Sequence, residues 1–575
     1  MFARHLRDHH TKLWAALAGL ARQSPRLKPL YTRGADPRVA RLVQATALGA
    51  AVASARLDDD GQLIARPLVA GAMPECLRPR PASTIVQFDP TRSMPQQTRE
   101  LVIPTKVDGI DVHFEVRWPV HVGPYQLAEA RIVRVDSEHQ VLHLAITSMV
   151  GADLVTRLPD RLRLFFNVAP DLAVDILHAL RSSREPVTAV AFDADGELLT
   201  EMALPPTVFQ WVRLDTTEPP IVGGPRDRFE SGTLLRDYFD AEETFAFADF
   251  NVSAVRPRAA SMTRLELTFP LGRLVEGASR VARDNVLLFC SPATNQYRAR
   301  TVPIQAGPHD TEWVLSVARR PHAEILHLES LYVDPYDGGP RQPLIAWEAA
   351  DDAEAAETFG PYYLLAQSKA ASEPRTLMLV TFADDNGFFC AAPAGIVRGD
   401  VLASDGALTA SLKMGDIQVR ELGIANVTRV TSSRRAVIGK ELSTRLAAYA
   451  RQGAHQFANH VALAEFLSLH DGYALADVEG GSKLHVPDFV RVSHEHVHER
   501  AGTTARFGDR FLATVRAGAC RPGEIWAIGE CMARAFAERT ERLRFSELVL
   551  RTDSGGNVTP PFSRRAGICL PFPFG

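Results

Sequence analysis

The sequence predicts a multi-domain α+β protein in which a helical N-terminus is followed by antiparallel β-rich domains framed by helices. Near the start, Leu6, Leu13 and Leu17 recur at helical spacing. From Ile110 to Trp118, apolar and polar residues alternate as in a half-buried strand. Helix-like and strand-like segments then follow one another without an internal repeat, which favours packed sheets with helices beside them.

The N-terminal helices have recognisable ends. Pro25 and Pro29 interrupt the first apolar stripe, and Asp36 is an N-cap candidate with Pro37 at the first helical position. The second helix carries an apolar stripe rich in small residues: Val39, Leu42, Val43, Thr46, Ala47 and Ala50. We expect a third, short helix at about 62–73.

The later elements follow from the same periodicities. Prolines at 74, 79 and 81 end the helical region, and Pro170 with Asp171 marks a helix start. We expect strands at 85–88, 110–118, 141–146, 162–166, 265–269, 484–497, 507–515 and 545–550. We expect helices at 170–180, 231–239 and 524–538, and one long helix or a broken pair at 441–469.

Length suggests several domains. At roughly 100–200 residues per domain, a chain of 575 residues has about three to five. An acidic, alanine-rich stretch from Ala349 to Glu357 is a candidate linker. We predict an N-terminal helical region at 1–75, β-rich domains at 76–220 and 221–350, and a C-terminal α+β domain at 351–575.

Charge and cysteine usage narrow the class of protein. The 64 Lys+Arg and 68 Asp+Glu give a net charge of −4, which argues against nucleic acid as the main partner. The six cysteines form no C-x-x-C pair, as is typical of reduced thiols. We find neither a signal peptide nor an uncharged apolar run of about 18 residues, so we expect a cytoplasmic protein.

One cluster could carry chemistry. In a strand, His494, His496 and His498 would share one face and could hold a metal such as zinc. The alternative is an exposed polar face with Val497 turned inward. The chain has no G-x-S-x-G, P-loop or G-x-G-x-x-G motif. We therefore expect no catalytic, cofactor-binding or metal site, no cofactor and no enzymatic activity.

Several segments are similar, in order, to the motifs of one known family. Asp36 to Leu42 is similar to a D-P-x-V-x-R-L helix start, and Leu77 to Pro79 is similar to a bend before the family's first strand. Leu234 to Phe239 resembles an L-L-x-E-Y-F helix, with Asp237 at the usual Glu. Cys290 to Asn295 resembles a C-x-P-x-x-N turn. Because these matches keep the family's order along most of the chain, the sequence resembles the TssF (ImpG/VasA) family of the type VI secretion system.

The resemblance implies a structural wedge subunit of the secretion baseplate. Such a subunit would assemble with a TssG-like subunit, a second copy of itself, and TssK-like and TssE-like subunits around a spike hub, and would nucleate the contractile sheath. The membrane would be reached only indirectly, through a secretion complex at the inner membrane. The alternatives are a wedge protein of a phage or extracellular contractile particle, and a metal-dependent hydrolase using the histidine strand.

A partner interface is expected on apolar positions of the helices and the tail. The small residues of the second helix would let another helix approach closely, either from a partner or from the same domain. The expected interface residues are Leu13, Leu17, Val39, Leu42, Val43, Ala47, Leu234, Tyr238, Phe572 and Phe574.

Overall fold

A computed structural model describes most of the chain, in two compact units. The described residues are 2–23, 26, 29, 36–72, 78–91, 100–149, 151, 153–216, 218–221, 230–255, 261–304, 312–346, 362–369, 376–384, 389–433, 457, 459–471, 484–501, 504–518, 520–556 and 562–568. A helical unit contains the described residues up to Ala72. A β-rich unit contains the described residues from 78 onward.

The longer helices lie mostly where apolar residues recur at helical spacing. They are α1 Phe2–Gln23, α2 Pro37–Ala72, α3 Pro170–Ser182, α4 Glu230–Asp240, α5 His460–Ser468 and α6 Pro522–Arg539. Shorter helices span Leu154–Arg157 and Val212–Asp215. The prediction of a separate third helix at 62–73 is wrong, because α2 continues through this region. A single interior glycine such as Gly61 costs only about 1 kcal/mol, which is too little to end a long helix.

The strands of the first half are β1 Ser83–Phe88, β2 Val102–Val107, β3 Ile110–Val116, β4 Tyr125–Arg134, β5 Gln140–Ser148, β6 Arg161–Phe166, β7 Val187–Phe192, β8 Leu198–Leu204, β9 Phe209–Trp211, β10 Phe247–Asn251, β11 Arg264–Pro270, β12 Val286–Leu288 and β13 Cys290–Thr294. The predicted strands at 85–88, 110–118, 141–146, 162–166 and 265–269 coincide with members of this set.

The strands of the second half are β14 Tyr297–Arg300, β15 Trp313–Leu315, β16 Glu324–Asp334, β17 Gln342–Ala346, β18 Tyr362–Lys369, β19 Thr376–Ala383, β20 Phe389–Cys390, β21 Ile396–Ser404, β22 Gln418–Val419, β23 Ile424–Asn426, β24 Phe489–Ala501, β25 Thr504–Val515, β26 Arg544–Thr552 and β27 Arg565–Ala566. The strand predicted at 484–497 therefore begins later, at Phe489. Within the predicted helical stretch 441–469, α5 occupies the C-terminal end, and 441–456 lies outside the described residues.

Three sheets form the first part of the β-rich unit. Their orders are β2-β3-β13-β1-β23-β22, β4-β5-β11-β7-β8 and β12-β6-β10-β9. The six-stranded sheet combines strands from both sides of the predicted boundaries at 220 and 350, since β1 pairs with both β13 and β23. The four domain ranges remain a prediction, and the strands of this one sheet come from three of them.

A barrel follows. The sheet β14-β21-β16-β17-β18-β19-β15, with β20 attached to β19, has its two ends joined. Val302 N donates to Ser316 O at 2.7 Å, and Ala318 N donates to Arg300 O at 2.9 Å. The barrel interior is filled by apolar side chains, among them Trp313, Leu331, Val380, Phe382 and Val401.

The C-terminal sheet has the order β24-β25-β26-β27. The hairpin β24–β25 is antiparallel, but β25 and β26 are parallel. A parallel pair requires a crossover connection, and α6 supplies it. The α+β prediction is confirmed, although this pair and the parallel pair β17–β18 depart from the expected antiparallel pattern.

Candidate interaction surfaces and a histidine cluster

The helical unit buries one side of α2. Helix α1 packs along α2, and His9 Nε2 lies 2.8 Å from Ser54 Oγ. Val43 and Ala47, one helical turn apart, are buried within the chain itself, as is Ala51. These small residues therefore already have neighbours, so the buried side of α2 is not a free surface.

Helix α2 also has apolar residues on a second side. Leu42 is 68% exposed, and Leu48 and Val52 are also exposed. Arg38 and Arg41 lie exposed beside them. Apolar residues on both sides are typical of a helix that packs against other protein elements on both sides. The remaining expected interface residues of this unit, Leu13, Leu17 and Val39, are half-buried.

Two expected interface residues lie in the interior of the β-rich unit instead. Leu234 and Tyr238 of α4 have no exposed surface. The Tyr238 hydroxyl donates to the carbonyl of His485 at 3.2 Å. Burial raises the pKa of this tyrosine. Their apolar periodicity thus reflects core packing in this chain, while Phe572 and Phe574 lie outside the described residues.

The C-terminal hairpin brings together a cluster that the sequence did not reveal. The β24–β25 register places His496 opposite Asp509. Asp509 Oδ1 lies 2.9 Å from His494 Nε2 and 2.9 Å from His496 Nδ1. Two imidazoles and a carboxylate with ligand atoms this close could hold a metal ion.

An arginine side chain bonds two members of this cluster. Arg544 Nη2 lies 2.9 Å from Asp509 Oδ1 and 2.7 Å from His496 Nδ1. The guanidinium supplies the positive charge that the carboxylate needs, and it would repel a divalent cation. His498 instead packs edge-to-face on Phe507, with ring centroids 5.0 Å apart. The three histidines occupy alternate positions of β24, as expected, but the ligand atoms that come close together belong to His494, His496 and Asp509 rather than to His498.

A buried carboxylate joins the barrel to the six-stranded sheet. Asp405 has no exposed surface and accepts hydrogen bonds from Asn295 Nδ2, Tyr297 OH and Arg320 Nη1 at 2.8–2.9 Å. Arg320 Nη2 also lies 3.0 Å from His113 Nδ1 in β3. Burial, and then the charge of Arg320, lowers the pKa of His113. Because these residues are far apart in the sequence, no local motif predicted the network.

One described cleft has a volume of about 340 Å³. It is lined by residues of 165–170 and 427–429, together with Glu243, Ala246 and Met414. Glu243 and Arg429 are its charged lining residues.

Among the described helices, we find none that is both long enough and apolar enough to cross a membrane.

Comparison with known proteins identifies the family. The family described as "Type VI secretion system, TssF" matches residues 22–568. No curated protein sequence matches the chain. The fold is similar to that of a chain in a TssK–TssF–TssG baseplate subcomplex of the type VI secretion system, with a TM-score of 0.72, 16% identity, and coverage of 92% of this chain and 100% of that chain.

A second similar structure is a chain of the baseplate complex from the type VI secretion system. Its TM-score is 0.58 at 13% identity, with coverage of 99% of this chain and 100% of that chain. At these identities the likeness establishes a shared fold over nearly the whole length. Together with the family match, which confirms the resemblance seen in the sequence, it leads to one conclusion: this chain belongs to the TssF family of the type VI secretion system.

Proposed function

We propose that this chain is a structural wedge subunit of a type VI secretion baseplate and has no catalytic role. It assembles with a TssG-like subunit, a second copy of itself, and TssK-like and TssE-like subunits around the spike hub, and the complex nucleates the contractile sheath. The observation that carries the proposal is the family match over residues 22–568, supported by the shared fold with chains of two baseplate structures.

The helical unit has a surface suited to assembly. Leu42, Leu48 and Val52 are exposed on α2 although the opposite side of the helix is already buried. Covering them with a partner would remove apolar area from water, at roughly 25 cal/mol for each Å². Arg38 and Arg41 at the rim favour a partner with carboxylates at its own rim.

The β-rich unit has interior ion pairs that favour a single rigid arrangement. Arg213 pairs with Asp237 at 2.6 Å, and Arg80 pairs with Asp240 at 2.7 Å. Such pairs add little net stability compared with apolar packing, but an arrangement that separates the partners is strongly disfavoured.

The hydrolase alternative lacks support in the geometry. A catalytic metal needs an open coordination position for water or substrate. Asp509 and His496 are instead bonded to the guanidinium of Arg544. A structural role is therefore a better interpretation of the histidine cluster than a catalytic metal site.

We also propose that the assembled wedge works in the cytoplasm and docks at the inner membrane through the secretion complex. In this arrangement partner subunits, and not this chain, carry the membrane contact. Cell fractionation with and without the membrane-complex genes tests the point, since the chain should leave the membrane fraction when those genes are deleted.

Co-expression with the cognate TssG-like subunit tests the main proposal. A stable interface of at least ~1,200 Å² should keep the two proteins together through gel filtration with light-scattering detection. A monodisperse monomer in the presence of that subunit would overturn the proposal. Neighbouring genes for sheath and membrane-complex proteins would distinguish a secretion system from a phage or an extracellular particle.

A further inference from the structure

The barrel is a single insertion in the six-stranded sheet. Its strands β14 to β21 run from Tyr297 to Ser404, whereas the sheet contains β13 before this stretch and β22 after it. Every member of the apolar cluster that fills the barrel lies between Tyr297 and Ala403. Although the barrel belongs to the β-rich unit, it therefore has an apolar core of its own, and the chain passes between sheet and barrel at two places.

These two crossings touch each other. Asn295 precedes the barrel and Asp405 follows it. The backbone N–H of Asp405 donates to Asn295 Oδ1 at 2.8 Å, and Asn295 Nδ2 donates to Asp405 Oδ2 at 2.9 Å. Gly406, directly after Asp405, has a φ of +55°, in the left-handed region that glycine adopts without strain. The crossings thus form one joint, which contains a residue suited to absorb a change of backbone angles.

The contacts from this joint to the sheet are polar and reach one short segment of β3. Arg320, in the loop between β15 and β16, donates from Nη1 to the carbonyl of Asp111 at 3.2 Å, and its Nη2 lies 3.0 Å from His113 Nδ1. Asn295 Nδ2 also donates to the carbonyl of His113 at 2.8 Å. Among the described elements, the closest packing of a barrel strand on the rest of the unit is that of β14 on β3. Relative motion is the default expectation for a contact of this kind, because it takes a large apolar interface to fix two bodies.

The charge of Arg320 is compensated within the barrel itself. Its guanidinium lies 2.8 Å from Asp405 Oδ1 and over the ring of Tyr297 at 4.5 Å. Tyr297 belongs to β14 and Asp405 directly follows β21, so these partners stay with the barrel. The acceptors on β3 are a carbonyl and an imidazole nitrogen, and neither is an anion. Release from β3 therefore breaks hydrogen bonds but does not leave a buried charge unpaired, which would be the costly case.

The first crossing contains buried polar atoms that this orientation does not satisfy. Thr294 Oγ1 and Gln296 Oε1, on either side of Asn295, have no hydrogen-bond partner among the described residues. Buried polar atoms are normally paired, so an unpaired one adds nothing to the stability of the arrangement that buries it. A second orientation that admits water to these atoms would thus lose no hydrogen bond there.

We propose that the barrel turns as a rigid body about the joint of Asn295, Asp405 and Gly406, and that the hydrogen bonds of Arg320 to β3 hold it in the orientation seen here. The inference goes beyond the assembly role and does not rest on it, since every observation concerns contacts within this chain.

Distance measurements by electron spin resonance on the full-length chain test the proposal. Spin labels attached through p-acetylphenylalanine replace Val314 on the barrel wall and Val102 on β2 of the six-stranded sheet, which are 48% and 47% exposed. A second pair of labels, at Val314 and Tyr336, lies wholly within the barrel and reports whether the barrel stays folded.

His113→Phe is the informative substitution, because it removes the imidazole acceptor of Arg320 and keeps the backbone bonds of β3. The distance between positions 102 and 314 should show a second population, and its ratio to the first should rise by roughly tenfold, as expected when one hydrogen bond from a charged donor is lost. Arg341→Met is the matched control, because Arg341 binds Asp334 elsewhere on the barrel and should leave both distances unchanged.

An unchanged distance between positions 102 and 314 in a folded His113→Phe chain would overturn the proposal, since other contacts would then fix the barrel. A broadened distance between positions 314 and 336 would also overturn it, because the barrel would be unfolding and not turning. Arg320→Met removes both bonds to β3 and should enlarge the second population further. A single narrow distance between positions 102 and 314 in a folded Arg320→Met chain would equally end the proposal.

Discussion

Arg213 and Asp237 form an ion pair in the interior of the β-rich unit, with Nη2 and Oδ2 2.6 Å apart and each side chain only 2% exposed. The same carboxylate oxygen accepts from the backbone N–H of Ile221 at 3.3 Å. The pair thus ties the short helix at Val212–Asp215 to α4 and to the segment before it.

Replacing Asp237 by alanine should therefore destabilise the chain strongly. The change leaves the guanidinium of Arg213 buried without its carboxylate, which costs about 3–5 kcal/mol. Urea unfolding monitored by tryptophan fluorescence measures the loss. Asp334→Ala is the control, because Asp334 pairs with Arg341 at 2.9 Å on the surface, where water screens the pair, and its loss should destabilise the chain far less. Equal effects of the two substitutions would contradict the prediction.

Substitutions at two neighbouring residues of α2 should affect folding and assembly differently. Ala47 has no exposed surface, whereas Leu48 is 48% exposed. Ala47→Glu buries an unpaired charge and should lower the thermal midpoint of the isolated chain. Leu48→Glu should keep that midpoint and weaken co-purification with the TssG-like subunit. Thermal melting and pull-down of both variants measure the difference. A stable Ala47→Glu chain would show that this side of α2 does not pack in the interior of the chain.

The histidine cluster should contain no stoichiometric zinc in the purified wild-type chain. Arg544 already neutralises Asp509, so a divalent ion would have to displace the guanidinium. Elemental analysis after dialysis against micromolar zinc tests this. Arg544→Met is the informative variant, because it frees two imidazoles and the carboxylate and should raise zinc retention. One zinc per wild-type chain, lost in a variant with His494 and His496 replaced by glutamine, would contradict the prediction.

His470 should make the β-rich unit sensitive to acid. Burial, the largest cause, lowers the pKa of His470 to about 3, and its Nδ1 lies 3.0 Å from the carbonyl of Phe466. The unfolded chain takes up a proton near pH 6.5, whereas the folded chain does not until much lower pH. The free energy of unfolding should therefore fall between about pH 6.5 and 3, by about 1.4 kcal/mol for each pH unit.

Urea titrations at several pH values measure this slope. His470→Asn keeps a donor for the carbonyl of Phe466 but does not titrate. The slope of the unfolding free energy against pH should therefore decrease by about 1.4 kcal/mol per pH unit, which corresponds to one proton. The slope of His460→Asn is the control, because His460 is an exposed histidine at the start of the same helix. An unchanged slope in His470→Asn would show that other groups cause the acid sensitivity.

The sequence by itself determined the class of fold, most element positions and the family. Alternation along Ile110 to Val116 and the proline at the start of α3 are local signals, and the structure confirms both elements. The separate helix expected at 62–73 was misjudged because no local signal showed that α2 continues past both Gly61 and Pro67 to Ala72. The family segments are also local, so their order could be recognised without contacts.

Only the tertiary structure decided which apolar and charged residues are accessible. Periodicity marks Tyr238 and Leu42 alike as apolar helix positions, but α4 lies in the interior whereas Leu42 is exposed. Likewise, the spacing of the histidines said nothing about Asp509 and Arg544, which reach them through strand pairing and a helical crossover. The physical reason is that burial and electrostatic pairing depend on contacts between distant parts of the chain, which local patterns do not encode.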